Sequence, residues 1–229
     1  MGGNGVRGGR VNADSARDPH GGQPVERDGP PLDEAGTAIV LLHGRGASAE
    51  DILSLGRALA AGSSDVALLA PQAAGHTWYP ESFMAPVHRN EPWLGSALDL
   101  LGRTLDQVVE AGVPRERTIV AGFSQGACLA SEYVARNPER YGAVLAFTGG
   151  LIGPPLIDFA HEGDLDETPV YLSSGDTDPH IPWRRVEATR EVLERMRGRV
   201  TMRRWPGRPH TILPDEIEQA RELIAPLLS

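Results

Sequence analysis

Apolar residues along this chain fall into short blocks that alternate between two patterns. Thr37–Leu42, 66–70, Ala143–Phe147 and 170–173 are continuous apolar runs rich in Val, Ile, Leu and Ala. Such runs are expected of strands buried on both faces of a parallel sheet. Between them the apolar positions recur at helical spacing: Ile52, Leu55 and Leu59; Leu94, Leu98, Leu101, Leu105 and Val108; Val186, Thr189, Leu193 and Met196; Ile217, Ala220, Ile224 and Leu227. Each set puts one apolar stripe on a helix. The punctuation agrees with these assignments. Ser48 can cap the first of these helices, with Asp51 three residues on as its capping-box partner. Gly112 and Pro114 stop the second, and Pro214 suits the first position of the last. The final strand is expected over 200–205. Strand alternating with helix predicts a mostly parallel central sheet with helices on both faces, a three-layer α/β sandwich. Two stretches, 73–92 and 151–168, fit neither pattern and read as long irregular loops.

Residues 1–35 stand apart from this regularity. Gly, Pro, Arg, Asp and Asn dominate there, and the few apolar residues are too scattered to form a face. Such a segment cannot bury enough surface to offset its ordering entropy, so it is expected to be a flexible tail. Part of it could still pack as an extra edge strand. The folded domain is then 36–229. With 229 residues, 40% apolar and 23% charged, the chain is long enough for one substantial core. A net charge of −9 argues against nucleic acid as a partner. Its basic side chains are arginines, without a single lysine, a compositional bias with no functional reading. The one cysteine, Cys128, excludes an intrachain disulfide, and no apolar run is long enough to cross a bilayer. A cytoplasmic location without stable membrane insertion is the expectation, and a homodimer is compatible with it.

The chemistry gathers at the ends of the expected strands, where sites form in such sheets. In Gly122-Phe123-Ser124-Gln125-Gly126 an apolar strand runs into small, helix-compatible residues. That is the pattern of a nucleophile elbow, with Ser124 at the apex of a tight strand–helix turn. The flanking glycines leave room for backbone to pass where a Cβ would clash. A serine hydroxyl needs a base, and a histidine base needs a carboxylate to hold its tautomer. His210 follows the last strand, and Asp176 and Asp178 compete for the acid's role in the loop after 170–173. Asp176 follows Gly175 and could close a turn; Asp178 precedes Pro179, whose ring restricts its backbone. The order Ser, Asp, His is that of α/β-hydrolases. An oxyanion needs backbone donors: the N–H of Gln125 at the start of the elbow helix, and that of Arg45 in the His43-Gly44-Arg45-Gly46 turn. His43 reads as holding that turn, and Cys128, one helical turn past Ser124, as a small core residue. Trp78 and Tyr79, with Leu151 and Ile152, are expected to shape the pocket because they lie in the irregular loops. No His/Cys/Asp/Glu spacing reads as a metal site, and the chemistry requires no cofactor.

Taken together, Leu41-Leu42-His43-Gly44-Arg45-Gly46, Ala70-Pro71-Gln72, the elbow, Gly175-Asp176-Thr177-Asp178-Pro179-His180-Ile181-Pro182 and His210 resemble the phospholipase/carboxylesterase family of α/β-hydrolases. That family includes acyl-protein thioesterases and small bacterial carboxylesterases. The resemblance covers about 36–229 and implies a Ser124, Asp178, His210 triad, favouring Asp178 because the family's acid precedes the proline. It also implies oxyanion donors at Arg45 and Gln125. Thr77-Trp78-Tyr79-Pro80 and Asn90-Glu91-Pro92 look more like the bacterial esterase branch. One departure is Arg45, which stands where the better-known thioesterases have an apolar residue. The expectation is therefore a serine esterase acting on small-molecule esters with short acyl groups, Arg45 biasing the site toward short or anionic ones. The alternatives are a thioesterase or lysophospholipase for longer chains, or a hydrolase fold turned to ligand binding. A dienelactone-hydrolase reading is weaker, since that chemistry usually places cysteine at the elbow.

Overall fold

The computed structural model describes residues 17–228. Its strands are β1 (Val25–Asp28), β2 (Thr37–Leu42), β3 (Val66–Pro71), β4 (Thr118–Phe123), β5 (Ala143–Phe147), β6 (Pro169–Gly175) and β7 (Arg199–Trp205). They form one sheet in the order β1-β3-β2-β4-β5-β6-β7, parallel except where β1 runs against β3. The α-helices are α1 (Ala49–Ala60), α2 (Trp93–Glu110), α3 (Gln125–Arg136), α4 (Trp183–Arg195) and α5 (Pro214–Ile224). The expected three-layer α/β-hydrolase sandwich is what forms.

The apolar strands explain the layers. On β2, Ala38, Val40 and Leu42 face one core while Ile39 and Leu41 face the other. The first core is closed by α2, α3 and α4 through Leu94, Leu101, Leu105, Leu129, Val134, Val186 and Leu193. The second is closed by α1 and α5 through Ile52, Leu55, Leu59, Ala220 and Ile224. The inner strands β2 to β5 are apolar at nearly every position because both faces are covered, so period-2 patterning disappears from their sequence while persisting in space. The Ser48–Asp51 capping box starts α1: the Asp51 N–H donates to Ser48 Oγ, and the Ser48 N–H to the Asp51 carboxylate.

Residues 17–35, placed within the expected tail, pack against the domain. Residues 1–16 lie outside the described region, but the chain packs well before Gly36, and β1 supplies the extra edge strand. His20 is fully buried: its N–H donates to Ser96 Oγ (2.9 Å), Nε2 to the Trp78 carbonyl (3.0 Å), and Nδ1 accepts from the Ala74 N–H (3.0 Å). Asp18 accepts a hydrogen bond from Ser96 Oγ on α2. These are polar contacts to residues far along the chain, so an apolar pattern could not reveal them. Among the described residues no helix is long and apolar enough to cross a membrane.

Candidate active site

Four loops at the carboxyl ends of β2, β4, β6 and β7 meet over the sheet. Ser124 sits between β4 and α3 with φ 54° and ψ −115°, a conformation that L-residues adopt only under local constraint. The constraint is visible in the flanking glycines. A Cβ on Gly122 would lie 2.5 Å from the Gly126 carbonyl carbon, and one on Gly126 would lie 2.1 Å from the Leu42 oxygen. Only glycine lets α3 start this close to β2. The Ser124 N–H is held by the Phe147 carbonyl at 3.0 Å, which ties the turn to β5.

From this apex a chain of hydrogen bonds runs outward. His210 Nε2 lies 2.8 Å from Ser124 Oγ, and His210 Nδ1 lies 2.8 Å from Asp178 Oδ2. The other carboxylate oxygen, Oδ1, accepts the N–H groups of His180 and Ile181, each at 2.9 Å. Burial opposes the charge on Asp178, but the bonds from His210, Ile181 and His180 outweigh it and hold the carboxyl below its ordinary range. Asp176 is turned elsewhere, accepting the Gly207 N–H at 2.9 Å and lying 3.7 Å from Arg204. Its contacts are structural. The His210 ring also meets Phe123 at 5.1 Å and the edge of His180 at 4.8 Å between centroids.

Beside Ser124 lies a cavity of about 490 Å³, whose lining includes Arg45, Tyr79, Phe83, Cys128, His180 and Ile181. Gln125 and His210 border it as well. Among the described residues neither the Arg45 nor the Gln125 backbone N–H has an acceptor, so both donors are free. His43 holds the turn that carries Arg45: Nδ1–H donates to the Gly44 carbonyl (2.8 Å), and Nε2 accepts from the Ala73 N–H (3.1 Å). This pattern requires a neutral ring, and burial lowers the His43 pKa accordingly.

The Arg45 and Gln125 side chains grip one loop. The Arg45 guanidinium donates to the carbonyls of Tyr79 (2.8 Å), Pro80 (2.9 Å) and Glu81 (2.8 Å). Gln125 accepts the Trp78 N–H at 2.9 Å and donates to the Tyr79 carbonyl at 2.8 Å. The guanidinium therefore shapes the loop at the cavity wall, and because its partners are neutral carbonyls its positive charge stays at the cavity.

The pocket residues expected from sequence divide. Tyr79 lines the cavity, whereas Trp78 turns beneath the turn, its Nε1–H bonded to the His43 carbonyl at 2.8 Å. Leu151 and Ile152 are likewise buried away from the cavity, their N–H groups bound by Thr189 Oγ1 and Glu132. Phe83, His180 and Ile181 take the places those three do not fill. Phe83 belongs to the same irregular loop, and His180 and Ile181 follow Asp178 directly, so proximity to strand ends was the available signal. Cys128 is a core residue as expected, its thiol pushed up to about 12 by burial, and it also touches the cavity. Among the described residues no group of three or more His, Cys, Asp or Glu side chains could hold a metal.

The layering, the strand order and a serine on a strained strand–helix turn define an α/β-hydrolase. Residues 29–228 match the Phospholipase/Carboxylesterase family model, and the chain belongs to that family. A crystal structure of a phospholipase/carboxylesterase from Dyadobacter fermentans is 46% identical, with a TM-score of 0.84 over 89% of this chain and 96% of that one. Acyl-protein thioesterase 1 of Saccharomyces cerevisiae is 27% identical over 136 residues, 58% of this chain and 60% of that protein. The chain thus spans less than two thirds of that curated relative. The Bacillus cereus carboxylesterase, 20% identical over 92% of this chain and 97% of that one, shares the fold with a TM-score of 0.66.

Proposed function

We propose that this protein is a serine carboxylesterase acting on small, short-chain acyl esters. Ser124 Oγ attacks the ester carbonyl while His210 Nε2 takes its proton; the N–H groups of Arg45 and Gln125 receive the oxyanion. His210 then passes the proton to the departing alcohol, and a water activated by the same nitrogen hydrolyses the acyl-enzyme. Asp178 keeps the Nδ1–H tautomer and stabilises the imidazolium. The observation that carries this reading is the unbroken chain Ser124 Oγ–His210–Asp178, with both links at 2.8 Å, opening on a cavity with two free backbone donors. Each such donor can lower the barrier by about 2.7–4 kcal/mol.

The cavity argues for the substrate class. Arg45 lines it with three of its N–H bonds already given to the carbonyls of one loop, so its guanidinium serves the wall of the cavity. Tyr79, Phe83 and Ile181 supply apolar wall, and the loop forming one side is held by hydrogen bonds with the Arg45 and Gln125 side chains. Such a wall suits a short chain. The likeness to acyl-protein thioesterases brings in a second substrate form, since the same acyl-enzyme arises from a thioester. Purified protein offered p-nitrophenyl acetate, butyrate, octanoate and palmitate, together with matched thioesters, tests the proposal. Highest kcat/KM on acetate or butyrate esters supports it; a preference for palmitate or for thioesters overturns it in favour of the long-chain reading.

A further inference from the structure

Two residues before His210, the Arg208 guanidinium is buried against an equally buried carboxylate, that of Glu216 on α5. Nε to Oε2 is 3.4 Å, with side-chain exposures of 1% and 0%. Burying two charges is costly, and a well-packed apolar pair would serve stability as well or better. What this pair connects is therefore informative. Glu216 Oε1 accepts the Ser173 hydroxyl on β6 at 2.6 Å, and Oε2 accepts the Leu213 N–H at 2.8 Å, closing the far end of the His210 loop. Arg208 Nη2 donates to Thr148 Oγ1 at 2.7 Å.

Thr148 directly follows β5. It holds φ 58°, an unfavourable conformation for a β-branched residue, and its N–H is bound to the Ser173 carbonyl at 2.7 Å. The preceding carbonyl, that of Phe147, receives the Ser124 N–H. The Arg208 backbone is also seated closely: a Cβ on Gly175 would lie 2.6 Å from the Arg208 oxygen. Among the described residues the His210 backbone has no hydrogen bond of its own. The loop that carries the imidazole is thus located through Arg208 and Glu216, and its reference point is the strand end that holds the serine.

We infer that the buried Arg208–Glu216 pair is a positioning device. It fixes the distance between the His210 loop and the Ser124 turn by tying both to Thr148 and Ser173. Neither residue touches substrate. The inference rests on the proposed hydrolase reading for its kinetic consequence, but its geometric consequence stands without it.

The test uses the full chain and three variants. Arg208→Met/Glu216→Gln removes both charges with little change of shape, Arg208→Lys keeps the charge but loses the guanidinium fork, and Thr148→Val removes one acceptor. Two readouts are taken on folded protein with a cooperative melt. One is the downfield proton resonance on His210 Nδ1, assigned by its absence in His210→Gln. The other is the split of ester turnover into kcat and KM. A displacement of about 1 Å at the imidazole can lower the rate about 100-fold. The double variant is expected to lose or broaden the resonance and drop kcat by about 30–100-fold with KM within about threefold. Arg208→Lys and Thr148→Val should fall between it and wild type. A merely structural pair would lower the melting temperature and leave both readouts alone, and that result overturns the inference. A lost resonance with unchanged kcat overturns it too, because the base would then need no fixed position. Should the double variant not fold, Arg208→Lys and Thr148→Val decide on the same two criteria. If wild-type protein turns over no ester, the hydrolase reading fails and the resonance alone decides the positioning.

Discussion

Asp178→Asn is the sharpest perturbation of the site because the structure dictates how the new amide must lie. In the wild type, Oδ1 accepts two backbone N–H groups at 2.9 Å, and Oδ2 faces His210 Nδ1 at 2.8 Å. An asparagine has one acceptor atom. Placing its oxygen toward His180 and Ile181 satisfies two donors, whereas the flipped amide would set its NH2 against both. The oxygen therefore takes the Oδ1 place and the NH2 group faces the imidazole. A donor in that position forces Nδ1 to become the acceptor, so the ring proton moves to Nε2. His210 then presents N–H to Ser124 Oγ and can no longer take its proton. In a serine protease with the same constellation, this tautomer error lowers kcat by about 10⁴, equivalent to about 5.4 kcal/mol of barrier. Asp178→Asn here should lose a similar factor in p-nitrophenyl acetate turnover, with KM and the cooperative melt preserved. Asp176→Asn, whose parent bonds to the Gly207 N–H and faces Arg204, should lose far less. The reasoning is refuted if Asp178→Asn stays within about tenfold of wild type, or if Asp176→Asn proves the more damaging change.

Other parts of the structure make separate predictions. Gly126→Ala puts a Cβ 2.1 Å from a backbone oxygen that cannot rotate away, so α3 and β2 must part. A loss of about 3 kcal/mol or more by urea unfolding is expected. Gly22→Ala, with nothing within 4 Å, is the neutral control. Arg45→Met releases three carbonyls at the cavity wall; because the guanidinium is solvent-exposed, about 1–2 kcal/mol is at stake. The melting temperature should drop by about 3–6 °C, and the ratio of octanoate to acetate turnover should rise; an unchanged ratio would remove the clamp from the account of specificity. His20 and His43 are both held below their ordinary value of 6.5, in each case chiefly by burial. Each folded pKa is lowered, so the stability they contribute is present above about 6.5 and declines as pH falls toward the folded values. The melting temperature should fall between pH 7 and 5, and His20→Gln, which can keep both ring hydrogen bonds as a neutral amide, should flatten the slope; an equal slope in that variant would contradict it.

Much of the architecture was legible because parallel strands and amphipathic helices announce themselves through local pattern. The Ser48–Asp51 cap and the Pro214 start are encoded within a few residues, and both lie where the pattern puts them. Ser124 and His210 were legible because each follows a strand, whereas Asp178 was separated from Asp176 only by the family resemblance; the three side chains lie within hydrogen-bond distance in series. Illegible features depended on which way a side chain turns once the chain is folded. Trp78 and Tyr79 are neighbours in one loop, yet the His43 carbonyl draws the indole underneath and leaves the phenol at the cavity. His20 belongs to a stretch with no apolar face, and only partners more than fifty residues away make it a core residue. The burial of Arg208 and Glu216 is equally illegible, because nothing local marks an arginine or a glutamate for burial.

The account stands on Ser124 as an activated nucleophile, and covalent labelling measures that directly. A fluorophosphonate, which loses fluoride to an activated serine oxygen, should add one phosphonyl group per chain to the peptide containing Ser124. Ester turnover should vanish in step with the adduct, and Ser124→Ala should show neither adduct nor turnover while melting like the wild type. Turnover that persists in Ser124→Ala, or in fully labelled protein, would contradict it.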